Sequence, residues 1–368
     1  RLACVTGVQT CALPIWSAAD VHTGNIAGRV KIEMKKTLYI TSSGEFRRKD
    51  NTLYFEKSDG QRIFIPVEDI NDVYIFSEVD LNSKLLDFLT QKKICVHFFN
   101  YYGYYSGTYY PREHLNAGHV IVKQCEVYLN PERRLDLAKR FVRGAVAQMR
   151  QVLRYYAKRK ENNETINKVL DELLLKYEEF HQANSIEELM AFEGHCREKY
   201  YSCFDEIIQN KDFPFEKRTK RPPLNALNAM ISFGNSLCYT MILSEIYKTH
   251  LDPRIGFLHT SNFRRFSLNL DVAEVFKPIM VDRLIFQLLN KKMITKKHFE
   301  SEHGGGILLN EKGRKIFLEQ MEQRMKTTVN HRHLGRNVSY RQLYRLELYK
   351  IQKHILGEKE YEPYISRW

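Results

Sequence analysis

The sequence predicts an α+β protein with more than one domain, in which a small N-terminal β-sandwich precedes a larger all-α domain. Two patterns indicate this fold class. Residues 34–110 contain short runs rich in Ile, Val, Tyr and Phe that turn signals separate, and residues 111–368 contain long amphipathic stretches. The chain of 368 residues is long enough for two cores. We therefore place the domain boundary between residues 110 and 111.

The first region consists of predicted strands. Five runs have strand composition, namely TLYIT (37–41), TLYFEK (52–57), RIFIPV (62–67), DVYIF (72–76) and ICVHFF (94–99). One predicted helix, Ser83–Gln91, interrupts them. The Tyr- and Gly-rich segment Asn100–Pro111 closes the region. That segment can stack on nucleic acid, or it can be a linker packed by its aromatic side chains.

The second region consists of predicted helices. Residues 135–160 and 163–183 are long amphipathic stretches, and 339–356 is a further one. Ser185 followed by Glu188 is a capping-box pattern, which predicts the start of another helix.

Residues 1–33 have neither helical nor strand periodicity. Their first part, RLACVTGVQTCALPI, resembles the translation of a sequencing-adapter oligonucleotide, and it fits a signal peptide poorly. We expect a non-native leader here and a natural start at Met34; the alternative is a genuine disordered extension.

The composition points to a polyanionic partner. The chain has 57 Lys and Arg against 44 Asp and Glu, which gives a formal charge of +13, and it contains 22 Tyr and 21 Phe. Excess basic charge favours nucleic acid through counterion release, and aromatic faces can stack on bases, although aromatic side chains also build cores. Apolar runs of the 18 to 20 residues that span a bilayer are absent from the sequence, and the seven cysteines form no CxxC pair. We therefore expect reduced thiols, no membrane partner and a cytoplasmic location.

The segment Gly256–Pro278 holds the candidate site. It contains His259 and then Asp271 and Glu274, whose spacing puts both carboxylates on one face of a helix, with Cβ atoms about 5 to 6 Å apart. Oxygen ligands with one nitrogen suit Mg²⁺ or Mn²⁺ better than zinc. The alternative is a capped histidine beside a solvated helix face.

Glu193 is the third candidate ligand. It lies beside the apolar stripe of the helix that follows Ser185, so its carboxylate is expected at the border of a buried face. A carboxylate in that place needs a partner, which can be a cation such as Arg197 or a metal ion.

Two groups of cations are candidates for binding a phosphate backbone. Arg264 and Arg265 lie between the imidazole and the acids, and Arg218, Lys220 and Arg221 belong to the cluster EKRTKRPP. An ordinary exposed loop is the alternative for that cluster.

Three motifs in order carry a family resemblance: FEGHCREKYY, RPPLNALNAMISFGN and LDPRIGFLHTSNFRRFSLNLDVAEVFKPIMVDR. From Met34 to the C-terminus, the chain resembles the CRISPR-associated integrase and endonuclease of spacer acquisition, the larger of the two general adaptation proteins. The wording LDVAEVFKP is most similar to the subtype I-B form. The resemblance implies a β-sandwich, a helical catalytic domain, and a homodimer that joins a small partner protein on double-stranded DNA.

The resemblance also implies roles for individual residues. Glu193, His259 and Glu274 match the residues that hold Mg²⁺ or Mn²⁺ in the family, and Asp271 matches a supporting catalytic acid. The implied reaction joins the 3′-OH ends of captured DNA fragments to the CRISPR repeat by transesterification. Two alternatives remain, a stand-alone metal-dependent nuclease on branched DNA or RNA and a non-catalytic nucleic-acid-binding scaffold.

Overall fold

A computed structural model of the protein describes residues 35–367, except for 113, 114, 116, 161, 162, 262–265, 302–304, 332 and 333. The predicted leader, 1–33, and the predicted phosphate-binding residues Arg264 and Arg265 lie outside the described residues. One compact unit runs from Met34 to Trp368. The domain boundary after residue 110 stays a prediction.

Strands dominate the N-terminal part of the described chain. In chain order its elements are β1 (Lys36–Ile40), β2 (Gly44–Lys49), β3 (Thr52–Lys57), β4 (Arg62–Pro66), β5 (Ile70–Ile75), β6 (Val79–Leu81), α1 (Ser83–Lys92), β7 (Cys95–Phe99) and β8 (Tyr105–Tyr109). They form two four-stranded sheets, ordered β1-β5-β7-β8 and β4-β3-β2-β6. In the first sheet β1, β5 and β7 are parallel and β8 is antiparallel to β7. In the second, β2, β3 and β4 are antiparallel and β6 is parallel to β2.

Alternate side chains of β5 and the residue after it reach two different hydrophobic clusters. Val73 and Ile75 pack in the cluster that the two sheets share with α1. Tyr74 and Phe76 pack in the larger cluster formed with the helices. Successive residues of a strand point to opposite faces, so the first sheet is covered on both sides.

Helices dominate the rest of the chain. They are α2 (Gly118–Leu129), α3 (Pro131–Ala157), α4 (Glu164–Glu179), α5 (Ile186–Tyr201), α6 (Phe204–Ile207), α7 (Ala226–Tyr247), α8 (Leu268–Lys277), α9 (Arg283–Asn290), α10 (Glu311–Lys326) and α11 (Tyr340–Ile355). A π-helical turn, Pro278–Asp282, joins α8 to α9. Both α3 and α7 pack against α8, which places α8 near the centre of the helical part.

Helix α7 is apolar on nearly all sides. By length and composition it is the one helix of the described chain that could cross a membrane, but most of it is buried inside the protein. An apolar helix that is buried on all sides is typical of a protein core.

The predicted fold class is confirmed, with additions. All five predicted strand runs form strands, and the predicted helix at Ser83 forms α1. The segment Asn100–Pro111 is neither a linker nor a free stacking surface along its whole length, because Tyr105–Tyr109 pairs with β7. The helical part also contains two antiparallel strand pairs, β9 (Phe299–Ser301) with β10 (Ile307–Leu309), and β11 (Thr328–His331) with β12 (Arg336–Ser339).

Candidate active site

Three segments bring the predicted acids and the imidazole together. Helix α5 begins at the predicted cap, where the Ser185 hydroxyl accepts a hydrogen bond from the Glu188 amide at 3.1 Å. The buried face of α5 turns toward the core and leaves Glu193 at its edge, with 16% of its side chain exposed. Helix α8 contributes Asp271 and Glu274, which are both buried. The loop before α8 contributes His259.

Asp271 organises the loop that carries the histidine. Its carboxylate accepts hydrogen bonds from the amides of Phe257 (2.5 Å), Leu258 (3.1 Å) and His259 (2.8 Å). It also contacts the His259 ring at Nδ1, at 2.8 Å. Gly256 permits this close approach, because a Cβ there would lie 2.7 Å from the Ser267 carbonyl carbon and 2.9 Å from Asp271 Oδ2. The alternative of a capped histidine agrees with these contacts, because the Asp271 carboxylate binds both the loop amides and the His259 ring. The solvated helix face of that alternative does not, because Asp271 and Glu274 are buried.

The Asp271 contact leaves the other ring nitrogen of His259 available. An ionised carboxylate only accepts hydrogen bonds, so the ring donates from Nδ1, and in the neutral form of the ring Nε2 carries the lone pair. Nε2 lies 4.0 Å from Glu274 Oε1. Burial lowers the pKa of His259, but the hydrogen bond and charge of Asp271, with the charge of Glu274, outweigh burial and raise it.

Two cations, the half-buried Arg197 and the buried Lys277, pair with the glutamates. Arg197 Nη2 is 2.6 Å from Glu193 Oε1 and 2.5 Å from Glu274 Oε2, and Lys277 Nζ is 2.6 Å from Glu274 Oε1. Burial raises the pKa of Glu274, but the charges of Lys277 and Arg197 outweigh it and bring the pKa to about 2. Of the two partners that the sequence allowed for Glu193, the structure shows Arg197.

The carboxylate and imidazole donors of this site are ligands that a hard divalent metal ion accepts, although basic side chains pair with the carboxylates here. In the described part of the chain, no three His, Cys, Asp or Glu side chains are arranged to hold a metal ion together. Glu193 and Glu274 nevertheless converge on a single nitrogen, Arg197 Nη2, and His259 presents Nε2 to the same glutamate. Two carboxylates and an imidazole that a third carboxylate orients are suitable ligands for Mg²⁺ or Mn²⁺. The residues therefore fit the metal, provided that the carboxylates exchange Arg197 for it.

Asn228 holds the predicted basic cluster next to this site. Its side-chain oxygen accepts from Arg218 Nη1 (2.9 Å) and from the Thr219 amide (3.2 Å), and its nitrogen donates to the Lys217 carbonyl (2.8 Å). Burial lowers the pKa of Lys220, and so do the charges of Arg218 and Lys277, whereas Glu274 raises it. Lys220 and Arg221 are both exposed.

Replacing Asn228 with Ala is expected to loosen this cluster. The variant leaves the Thr219 amide without its acceptor and removes one of the partners of Arg218, so we expect the free energy of unfolding to fall by about 1 to 3 kcal/mol. We expect the affinity for a DNA duplex to fall by about threefold to tenfold, because the cations lose their fixed positions. Urea unfolding and fluorescence anisotropy measure the two effects. Asn235→Ala on the same helix is the control, and an equal loss of DNA affinity in both variants would contradict the role of Asn228.

Asp282 is a buried acid that the sequence did not single out. Burial raises its pKa from the ordinary 3.8 to about 6, although Arg197 and Lys277 lower it. Asp282 is the last residue of the π-helical turn between α8 and α9. A π-helical turn departs from the period of about 3.6 residues, so helical spacing in the sequence does not place Asp282 at the site. Lys277, by contrast, is three residues after Glu274, so the helical period could have placed it at the site.

The Asp282→Asn variant is expected to become more stable than the wild type as the pH rises. The folded wild type holds the Asp282 proton more tightly than the unfolded chain does, so its stability falls between the unfolded pKa of 3.8 and the folded pKa of about 6. The variant lacks this loss. We expect its advantage in the free energy of unfolding to grow by about 1 to 3 kcal/mol across that interval. Urea unfolding in metal-free buffer measures it, and a constant difference between the two proteins would contradict the account.

Comparisons with known proteins agree with this fold. The sequence profile of the family described as CRISPR associated protein Cas1 matches residues 38–323. The CRISPR-associated endonuclease Cas1 2 of Thermodesulfovibrio yellowstonii is 56% identical over 336 residues, which cover 91% of this chain and 100% of that protein. A solved structure of a CAS1 protein from Thermotoga maritima is 47% identical, with a TM-score of 0.79 over 89% of this chain and 98% of that one. A casposase bound to integration product shares the fold at 20% identity, with a TM-score of 0.78 over 90% of this chain and 96% of that one. The chain therefore belongs to the CRISPR associated protein Cas1 family.

Proposed function

We propose that this protein is a metal-dependent DNA integrase and endonuclease of CRISPR adaptation. The observation that carries the proposal is the convergence of the half-buried Glu193 and His259 on the buried Glu274, with Arg197 Nη2 in contact with both carboxylates. The 56% identical relative is named an endonuclease, which supports nuclease chemistry in this chain. The casposase supports only the fold.

Glu193, Glu274 and His259 Nε2 would hold Mg²⁺ or Mn²⁺. When bound, such an ion polarises the scissile phosphate and stabilises the charge that develops on its oxygens. Asp271 is a positioning residue, because it holds the His259 ring and the loop amides and leaves Nε2 free. A neutral His259 ring serves as a ligand better than a protonated one.

The cations of the site would bind the phosphate. Lys277 and Arg197 carry positive charge into the site, and we propose a phosphate contact for Lys220 on the basis of the sequence. Arg218 is engaged by Asn228 and Ser232, so its contribution is a fixed positive charge. We propose further DNA contacts for Arg221, Arg264 and Arg265 on the basis of the sequence.

The proposed reaction is a transesterification. The 3′-OH of a captured DNA fragment attacks the phosphorus of a phosphodiester at the edge of the CRISPR repeat. A new P–O bond forms to the fragment, and the bond to the original 3′ oxygen breaks, which leaves a free 3′-OH on the repeat strand. The same site with water as the attacking group gives hydrolysis.

A strand-transfer assay separates this function from its alternative. A short duplex with 3′-OH ends and a repeat-containing plasmid are incubated with Mg²⁺ or Mn²⁺, with and without the small partner protein. We expect joined product with 3′-OH ends and none with 3′-dideoxy ends. Cleavage that is equal with both kinds of end, without joining, would instead indicate a stand-alone nuclease on branched DNA or RNA.

We also propose that the protein works in the cytoplasm as a homodimer that joins a small adaptation partner on double-stranded DNA. The charge of +13 supports the DNA partner. Light scattering of the protein alone and with its partner tests the assembly, and a monomer in both samples would contradict it.

A further inference from the structure

A second cleft in the helical part shares no lining residue with the candidate active site. The end of α3, helix α6 and helix α9 form its walls, and its volume is about 390 Å³. Ligand pockets in proteins typically measure roughly 300 to 1,000 Å³, so this cleft has the size of a small ligand or about one nucleotide.

The cleft is strongly basic. Five cationic residues line it, namely Arg159, Lys160, Arg283, Lys291 and Arg324. Among the described lining residues, Glu206 is the one carboxylate, and it lies 2.5 Å from Lys160 Nζ. Glu206 therefore pairs with Lys160. Among the described lining residues, no carboxylate lies beside the three arginines.

Aromatic stacking presents two of the arginines. The guanidinium carbons of Arg159 and Arg283 lie over the Tyr155 ring, 3.7 and 4.4 Å from its centroid. Arg159 also donates to the Tyr155 carbonyl at 3.1 Å. Stacking on an aromatic face fixes the plane of a guanidinium.

The third arginine is buried beside them. Arg324 donates from Nε and Nη2 to the Ile279 carbonyl, at 2.8 and 2.5 Å. A carbonyl satisfies these donors without neutralising the charge, and burial together with the charge of Arg283 lowers the pKa of Arg324 to about 10. Cations gathered in this way repel one another, and a bound anion relieves that repulsion.

We propose that this cleft binds the phosphate groups of an unpaired nucleic-acid strand, at a site separate from the acids. Arginine forks match phosphate oxygens in a bidentate geometry, and a phosphate needs several such donors. A cleft of about one nucleotide admits a single strand and excludes a duplex. This goes beyond the proposed function, and it concerns binding alone.

The test is the affinity for a 5′-fluorescein-labelled twenty-nucleotide oligothymidylate, measured by fluorescence anisotropy in EDTA, so that metal chemistry plays no part. The test variant is Arg159→Glu with Lys291→Glu, because both side chains are exposed at the rim. The control is Arg154→Glu with Lys297→Glu, which makes the same charge change at exposed positions outside the cleft. Thermal unfolding of both variants verifies their folding, and Arg159→Gln with Lys291→Gln replaces the test pair if it unfolds.

We expect the test variant to bind at least about tenfold more weakly and the control to change by less than about threefold. The slope of log affinity against log salt should fall in magnitude by roughly 1.4 for two lost phosphate contacts. An equal loss in both variants would overturn the proposal, because general charge attraction would then explain binding. Competition by thymidine 5′-monophosphate at the same concentration as the oligonucleotide would also overturn it, since the ligand would then be a free nucleotide.

Discussion

Replacing Glu193 with Gln should reduce strand transfer and cleavage by at least about 10³-fold, which corresponds to roughly 4 kcal/mol of lost transition-state stabilisation. The change keeps the size of the side chain and removes the charge that the proposed divalent ion needs. Arg197 keeps its second partner, Glu274 at 2.5 Å, so the fold of the site should survive. Initial rates of product formation measure the effect.

Glu198 provides the matched control for this variant. It lies on the same helix five residues later and is exposed, so Glu198→Gln should leave the rate unchanged. Affinity for DNA should change by less than about threefold in both variants, because neither loses a phosphate contact. A Glu193→Gln protein with a wild-type rate would contradict the ligand role, and a protein that loses binding and rate together would indicate a structural role.

Replacing Asp271 with Ala should both destabilise the protein and inactivate it. The variant leaves three amide donors, those of residues 257–259, without their acceptor in a buried loop. Unsatisfied buried donors cost about 1 to 3 kcal/mol each, so we expect the free energy of unfolding to fall by at least roughly 3 kcal/mol. The His259 ring also loses the contact that directs Nε2 toward Glu274. Urea unfolding and strand-transfer rates measure the two losses.

The His259→Ala variant separates these two roles of Asp271. It removes the ring but leaves the Asp271 carboxylate with its three amide donors, so strand transfer should be abolished while stability falls by less than about 1.5 kcal/mol. DNA binding should fall little. Unfolding of Asp271→Ala at the wild-type urea concentration would show that the carboxylate does not hold the loop. Equal losses of binding and strand transfer in His259→Ala would show that the histidine is structural.

Local patterns account for much of what the sequence predicted correctly. Runs of β-branched and aromatic residues marked five strands, and Ser185 marked the start of α5 because its hydroxyl caps the helix. The spacing of Asp271 and Glu274 correctly put both acids on one helix face.

Features that depend on tertiary contacts were harder to predict. Strand β2, with the sequence GEFRRK, has one buried apolar side chain, Phe46, so it lacks the strand pattern. Strand β8 lies in a Tyr- and Gly-rich segment and forms because β7 offers a free edge. Asp271 has two roles, because it binds the amide of His259, twelve residues earlier, and orients the His259 ring. Both roles depend on the folding of that loop against α8, so the sequence alone does not reveal them.

The pairing of the glutamates with Arg197 and Lys277 is the feature that bears most on the metal site. Lys277 is buried and Arg197 is half-buried, and both form ion pairs with Glu274. They neutralise the acids in the absence of a divalent ion, because buried carboxylates require a positive partner. Arg197 has to leave its bridging position for an ion to take it, so metal binding and the position of Arg197 are coupled in this account.

Titration of the metal-free protein with Mn²⁺, followed by electron paramagnetic resonance of the free ion, tests the central claim most directly. The account predicts one tightly bound Mn²⁺ per wild-type chain and the loss of that ion in Glu274→Gln, with the exposed Glu198→Gln as the control that keeps it. Binding of the same amount of Mn²⁺ by wild type and Glu274→Gln would contradict a metal site built on Glu193, His259 and Glu274.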